Sequence, residues 1–333
     1  MSGARTLEVN DLIVEAGRDG ARFAAVDGVT WGVAKGCSLG IVGESGSGKS
    51  LTLRAVMGLL PTGVTVTGGS VTVDGEIVPR AGLRRYRPDR RISLVFQDPL
   101  SALNPVMTIG DQVAEAPRRV IGMSRRASTA RMLDLLGLVG IPDPVSRASA
   151  YPHQLSGGMR QRVMIAIALS CEPEILLCDE PTTSLDVTIQ AQILALISSF
   201  QRDIGLATVF VTHDLGVARA LCDDLAVMYA GRIVETGPTD EVLGAPRHPY
   251  TLALVNSAID IDRPDRRPAA IPGTLPDPMH RPSGCSYRPR CRLATAECAN
   301  GEINLRPVAP RRAAACIHSD EVGQDHSDEV NRD

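Results

Sequence analysis

Gly43-Glu44-Ser45-Gly46-Ser47-Gly48-Lys49-Ser50 decides how this chain is read. A Gly, four residues and then Gly-Lys-Ser is the pattern of a loop that cradles phosphate. Upstream, Ser38 to Val42 is short and apolar and reads as a buried strand. Downstream, Ser50 to Leu60 reads as a helix, with Leu51, Arg54 and Met57 at helical spacing. Glycines allow backbone N–H groups to turn inward around an anion. The helix N-terminus adds partial positive charge behind that anion. Lys49 brings a full charge for the outer phosphates, and the Ser50 hydroxyl suits Mg²⁺. Gly43, Glu44, Ser45, Gly46, Ser47, Gly48, Lys49, Ser50 and Leu51 are therefore the first nucleotide-binding candidates. A Gly/Ser loop that merely turns is the plainer alternative, and the strand and helix around it argue against that.

The 333 residues leave room for one large α/β domain with a smaller appendage, or for two domains. Aromatics are only 3%, so the core must be aliphatic. A net charge of −3 argues against a general nucleic-acid binder. The run from Val163 to Cys178 is broken by Glu172 and Glu174, so it does not read as a membrane span. The N-terminus carries Arg5, Glu8 and Asp11 without an apolar signal region. The expectation is a cytosolic protein that docks on a membrane partner.

Residues 5 to 42 read as β-rich, with a hairpin signal at Gly17-Arg18-Asp19-Gly20. A second hairpin centres on Asp74-Gly75. Arg80 to Arg91 reads as a solvated surface helix or loop. Ile92 to Phe96 is a strand followed directly by Gln97. Residues 108 to 172 read mostly as helices, with Met132, Leu133, Leu135, Leu136 and Leu138 giving one apolar face. Leu155-Ser156-Gly157-Gly158-Met159 precedes an amphipathic helix. Its start could receive an anion, although a plain Ser cap would look the same.

Ile175 to Glu180 is an apolar strand ending in two carboxylates. Buried strands rarely end so without a charge to meet. Mg²⁺ facing Asp179 and a water nucleophile facing Glu180 would supply that need. Asp186 reads as a helix cap after Ser184-Leu185. Leu206 to Thr212 is a strand that delivers His213 to its C-terminal end, where α/β folds bind ligands; a structural histidine is the plainer alternative there.

In this order and spacing, these pieces resemble the ATP-binding subunit of ABC transporters, over residues 5 to about 320. Gly43 to Ser50 is similar to Walker A, Gln97 to the Q-loop and Leu155 to Met159 to the signature, with Met159 in place of the usual glutamine. Ile175 to Glu180 is similar to Walker B, Ser184 to Asp186 to the D-loop, and His213 to the switch histidine. The resemblance implies an α/β P-loop NTPase fold of the ABC nucleotide-binding type. It has an antiparallel β subdomain, an inserted α-helical subdomain at about 98–172 and a small cysteine-bearing extension. The nucleotide-binding domain would span 5–245, the extension 246–320 and a disordered tail 321–333.

The same resemblance implies an ATPase in which Lys49, Glu180 and His213 are catalytic. Ser50, Asp179 and, at longer reach, Gln97 would hold Mg²⁺. Ser156, Gly157, Gly158 and Asp186 would complete a partner's nucleotide site. One departure is Ala16, near the family's usual adenine-stacking aromatic; Phe23 is the nearby substitute.

Phe96 to Pro105, His248-Pro249-Tyr250-Thr251-Leu252 and the tail from Gly273 to Cys316 look like the oligopeptide, dipeptide and nickel importer branch. That implies a peripheral subunit on the cytoplasmic face of the cell membrane. Its partners would be a second, different ATPase subunit forming a heterodimer, two permease chains and an extracytoplasmic binding protein. Nickel, heme or another solute remains open in place of peptides. A soluble ABC ATPase acting on nucleic acid or ribosomes is a further alternative, but those usually fuse two cassettes or carry long coiled coils, and neither is visible here.

Cys37, Cys171, Cys178 and Cys222 sit in apolar surroundings and read as small core residues. Cys285, Cys291, Cys298 and Cys316 cluster among Pro282, Gly284 and Pro289. Disulfides are disfavoured in the cytosol, and the close pairs zinc prefers are absent. Free thiols remain a third reading. Four thiolates on irregular loops suit a [4Fe–4S] cluster, and the resemblance implies such a cluster.

Overall fold

The computed structural model describes residues 5–18, 20–78, 89–182, 186–258 and 269–322. In chain order, β1 (Arg5–Arg18) and β2 (Ala21–Ala34) precede β3 (Ser38–Val42) and α1 (Lys49–Val56). Next come β4 (Val64–Val73), β5 (Glu76–Ile77) and β6 (Ile92–Val95). A helical run follows: α2 (Pro99–Ala102), α3 (Ile109–Val120), α4 (Arg125–Leu138), α5 (Pro144–Arg147) and α6 (Gly157–Leu169). Then come β7 (Ile175–Asp179), α7 (Val187–Ile204), β8 (Ala207–Thr212), α8 (Leu215–Leu221), β9 (Asp224–Tyr229) and β10 (Arg232–Pro238). The chain closes with α9 (Thr239–Gly244), α10 (Pro249–Ser257), β11 (Arg306–Ala309) and β12 (Arg312–Ala314). Two compact units emerge. One comprises Met1–Leu7, Val33–Cys37 and Gly82–Phe210; the other Glu8–Gly32, Ser38–Ala81 and Val211–Asp333.

In the first unit, β6 and β7 are parallel neighbours, apolar apart from Ser93 and the terminal Asp179. Every residue of β7 is buried, as a strand covered on both faces requires. The inserted helices form their own core from Ile109, Val113, Leu135, Leu136 and Ile165. Leu138, expected on the apolar face of α4, is 59% exposed because the buried stripe runs through Met132, Leu135, Leu136 and Val139, and Leu138 falls to one side of it. Asp186 caps α7 by accepting from the Ile189 amide, so that helix begins at Val187. Ser184 and Leu185 lie outside the described residues.

In the second unit, β2, β1, β4 and β5 form an antiparallel-edged sheet in that order. Asp74 (φ 48°) and Gly75 (φ 81°) make the left-handed turn between β4 and β5, as their dipeptide demands. The first strand of that hairpin is longer than expected, starting at Val64. The hairpin signal at 17–20 falls between β1 and β2, with Asp19 outside the described residues, as are 79–88 of the arginine-rich stretch. Here α1 stops at Val56, short of Leu60, because Gly58 turns left-handed at φ 64°.

The phosphate-loop strand β3 pairs in parallel with β9, Val42 facing Val227. From there the sheet continues antiparallel through β10 and β12 to β11. The terminal extension, read from sequence as loop-built, thus contributes two strands. Its sequence hides them: Arg306–Ala309 and Arg312–Ala314 are too short to signal strand by pattern, and the first carries Pro307. Part of the extension shares the core of the phosphate-loop strand. Tyr250 and Tyr287 pack with Val42, Val227 and Tyr229 around the phosphate-loop strand. Of the expected disordered tail, Glu321 and Val322 are placed, Val322 buried; 323–333 lie outside the described residues.

Candidate functional site

In the second unit the phosphate loop springs from a fully buried strand. Ser38, at its start, is pinned by Asp223: the Ser38 amide and hydroxyl both donate to Asp223 Oδ2 at 2.8 Å. At the strand's end Gly43 has φ 154°, and a Cβ there would lie 2.2 Å from the Met228 carbonyl oxygen. No side chain fits, so the loop hugs the sheet edge only because glycine is present. Gly48, at φ 106°, is the N-cap of α1, and no side chain caps that helix. Amides at such a helix start carry partial positive charge, which suits an anion. The Lys49 ammonium is buried and donates to the Gly43 carbonyl at 2.7 Å and the Glu44 carbonyl at 3.0 Å. Ser47 is fully buried, and its hydroxyl finds no hydrogen-bond partner among the described residues. Ser45 and Gly46 form the exposed crown, and Ser50 and Leu51 are half-buried on the first turn of α1.

His213 is exposed directly after β8. The turn presenting it is fixed by its neighbours. The Asp214 amide donates to the Thr212 hydroxyl, and the Asp214 carboxylate caps α8 by accepting from Gly216 and Val217.

In the first unit, register assembles a second group. Val95 of β6 pairs with Cys178 of β7. Two residues beyond each lie Gln97 and Glu180, which the parallel register brings side by side. Gln97 Nε2 donates to Glu180 Oε2 at 3.1 Å. Asp179 is 1% exposed, whereas Glu180 is half-buried with φ 46°. A non-glycine residue held in the left-handed region costs about 1 kcal/mol or more and persists where the surroundings impose it. Ser156 caps α6 by accepting from the Met159 amide at 3.3 Å, and Gly157 and Gly158 open that helix.

Sequence reasoning missed what grips the phosphate loop. The Glu44 amide donates to the Tyr250 hydroxyl at 2.8 Å, 206 residues away. The Glu44 carboxylate takes both ends of the Arg290 guanidinium, at 2.7 and 2.9 Å. This fork holds the guanidinium above its already high ordinary value. Tyr250 is placed in turn by Glu235. That fully buried carboxylate accepts from the Arg247 and His248 amides and from Arg312, each at 2.9 Å. Burial pushes the Glu235 carboxyl up, and these hydrogen bonds oppose the shift. His248 caps α10 through Nδ1, which accepts from the Tyr250 amide at 3.0 Å. No local pattern marks Arg290 or Glu235; their partners lie far off in sequence.

Cys285, Cys291, Cys298 and Cys316 line one small cavity with His248, Tyr287 and His318. The Cys285 amide donates to the Cys298 carbonyl at 2.9 Å. Gly284 makes this close approach possible, since a Cβ would strike the same carbonyl at 2.2 Å. Burial pushes the Cys291 thiol up to about 11 and Cys316 up to about 12, and raises Cys285. At Cys298 burial pushes the same way, yet hydrogen bonds from Thr295 and His318 bring the thiol down. Among the described residues no three His, Cys, Asp or Glu side chains stand close enough to hold one metal ion. Of the other cysteines, Cys178 and Cys222 are buried core residues, and Cys37 and Cys171 are half-buried.

Comparison with known proteins adds the following. Residues 26–183 match the family model of the ABC transporter, and residues 234–298 that of the oligopeptide/dipeptide transporter C-terminal region. The chain is 43% identical to a dipeptide transport ATP-binding protein of Escherichia coli, covering 96% of this chain and 98% of that relative. It is equally identical to a putative peptide import ATP-binding protein of Brucella abortus, over 94% and 95%. Among solved structures it resembles the dimeric, post-hydrolysis ATP-binding cassette MJ0796 bound to ADP and Pi. The TM-score is 0.60 at 27% identity, over 70% of this chain and 98% of that one.

Proposed function

Because this chain belongs to the ATP-binding subunits of ABC transporters, in the oligopeptide/dipeptide branch, we propose that it hydrolyses ATP to drive uptake of di- and oligopeptides. The observation that carries the catalytic reading is the Gln97–Glu180 contact beside the buried Asp179, at the end of β7. Glu180 acts as the general base that polarises water, in a strained backbone position that keeps its carboxylate on Gln97. Lys49 and the loop amides neutralise phosphate charge, and His213 steadies the γ-phosphate. The uncapped start of α1 and the glycine cradle fit a nucleotide's phosphates. Ser50, Asp179 and, at longer reach, Gln97 are the groups assigned to Mg²⁺, an ion that supplies charge neutralisation when bound. Ser156, Gly157, Gly158 and Asp186 are assigned to the nucleotide of a neighbouring ATPase. Phe23 stands in for the adenine-stacking aromatic missing at Ala16.

The machine also takes permease chains and a substrate-binding protein. Our finer reading gives it two permeases and a second, different ATPase subunit, with this chain peripheral on the cytoplasmic face of the membrane. Among the described residues no helix is long and apolar enough to cross a membrane. The nucleotide-binding domain is taken as 5–245 and the extension as 246–320. For the extension we read Cys285, Cys291, Cys298 and Cys316 as ligands of a [4Fe–4S] cluster. Four thiols around one cavity fit it, because a cubane spaces its sulfurs more widely than a single ion does. When bound, the cluster would supply the positive charge that keeps buried thiols ionised.

The deciding experiment is Glu180→Gln in the reconstituted complex. It is expected to bind ATP normally while turnover and peptide uptake fall at least about a hundredfold. Hydrolysis at wild-type speed would remove Glu180 from that role.

A further inference from the structure

We infer that Arg290 is a positioning residue for the phosphate loop: it draws back and neutralises the Glu44 carboxylate, so that the loop offers a positive mouth to a triphosphate. The inference rests on the ATPase reading above.

Glu44 is the second residue of a loop whose other groups favour anions. Its backbone carbonyl accepts from the Lys49 ammonium at 3.0 Å, and its carboxylate is carried by the same residue of the loop. A bare carboxylate on this loop opposes an entering phosphate, because like charges are screened only beyond roughly 8 Å in physiological salt. Instead the carboxylate is gripped by a fork that has no freedom left. The Arg290 side chain is 4% exposed. Its Nε donates to the Pro272 carbonyl at 2.6 Å, and its guanidinium lies 5.8 Å from the Tyr229 and Tyr287 ring centres. Tyr229 ends β9, the strand paired with β3 beneath the loop. The grip is therefore referenced to the sheet that carries the phosphate loop. Meanwhile Tyr250 accepts from the Glu44 amide, which ties the backbone at that residue to the extension as well. Leu275, from the same extension, packs beside Gly46 at the crown, 3.8 Å from where a Cβ would stand. A planar, permanently charged fork suits this task; a lysine would match the charge without the geometry.

The alternative is that the pair merely fastens the extension. The test measures KM for ATP and kcat in the assembled complex, and ADP affinity on the full chain. Arg290→Ala is expected to raise KM for ATP and Kd for ADP about tenfold, with kcat within about twofold. Adding Glu44→Gln to that chain should recover most of the loss, since the unmasked charge is gone. Glu44→Gln alone should bind nucleotide at least as tightly as the wild type, and Arg290→Lys should fall between wild type and Arg290→Ala. Wild-type KM in Arg290→Ala overturns the inference, as does a double variant no better than Arg290→Ala. Weakened binding in Glu44→Gln alone also overturns it, and that variant with Arg290→Lys decides the matter should Arg290→Ala fail to fold. Wild-type protein that binds neither ATP nor ADP would instead sink the ATPase reading itself.

Discussion

Glu180 and Glu44 are both carboxylates at the end of a buried parallel strand, and they are held by opposite means. Glu180 meets Gln97 because β6 and β7 run in register, so backbone hydrogen bonds alone bring the pair together. Glu44 is fixed by side chains, Arg290 and Tyr250, that arrive from an extension more than 200 residues away. Tyr250 depends in turn on His248, Glu235 and Arg312, and Arg290 on the Pro272 carbonyl. Backbone register tolerates substitution of the residues it positions. A relay of buried polar side chains does not, because each member leaves another unsatisfied when removed.

The largest effect is expected from Arg312→Leu. It strips a buried partner from Glu235, whose carboxylate is fully inaccessible. Losing one partner of a buried ion pair costs about 3–5 kcal/mol. Urea unfolding of the full chain measures it, and a loss within experimental scatter of zero would show the relay to be dispensable.

A smaller effect follows from pH. Burial pushes the His248 imidazole from 6.5 down to about 3. Below 6.5 the unfolded chain therefore takes a proton that the folded chain refuses. Stability present at neutral pH is lost as pH falls through that window towards 3, by about 1.4 kcal/mol per pH unit. His248→Asn keeps a cap acceptor for α10 without the titration, so its stability should run flatter between pH 7 and 5. Identical slopes in the two proteins would exclude His248 as the source.

The smallest effect is expected on the register-held side. Gln97→Ala removes an exposed side chain from an unaltered strand pair and should change stability by less than about 0.5 kcal/mol, while slowing ATP turnover about tenfold. A large loss of stability there would erase the contrast between the two carboxylates.

Much of this was legible beforehand. The glycine-lysine-serine loop, the strand ending in Asp179 and Glu180, and the caps at Ser156 and Asp186 are local patterns, and local patterns follow from a few consecutive residues. The extension was harder to read. Its strands β11 and β12 are too short to show alternation, and they form because β10 offers an edge to pair with. Leu138 was grouped with the apolar face yet stands exposed, because the buried stripe at helical spacing is Met132, Leu135, Leu136 and Val139, and Leu138 lies beside it.

The amino-acid order by itself determined the nucleotide chemistry: which residues turn, which carry charge, and which strand ends bear acids. Folding alone decided that Arg290 and Tyr250 close on Glu44, and that four cysteines spread over 32 positions share one cavity. The physical reason is range. Dihedral preference, capping and charge act within a few residues, whereas a buried salt bridge or a shared cavity exists only once distant segments have been packed together and water excluded.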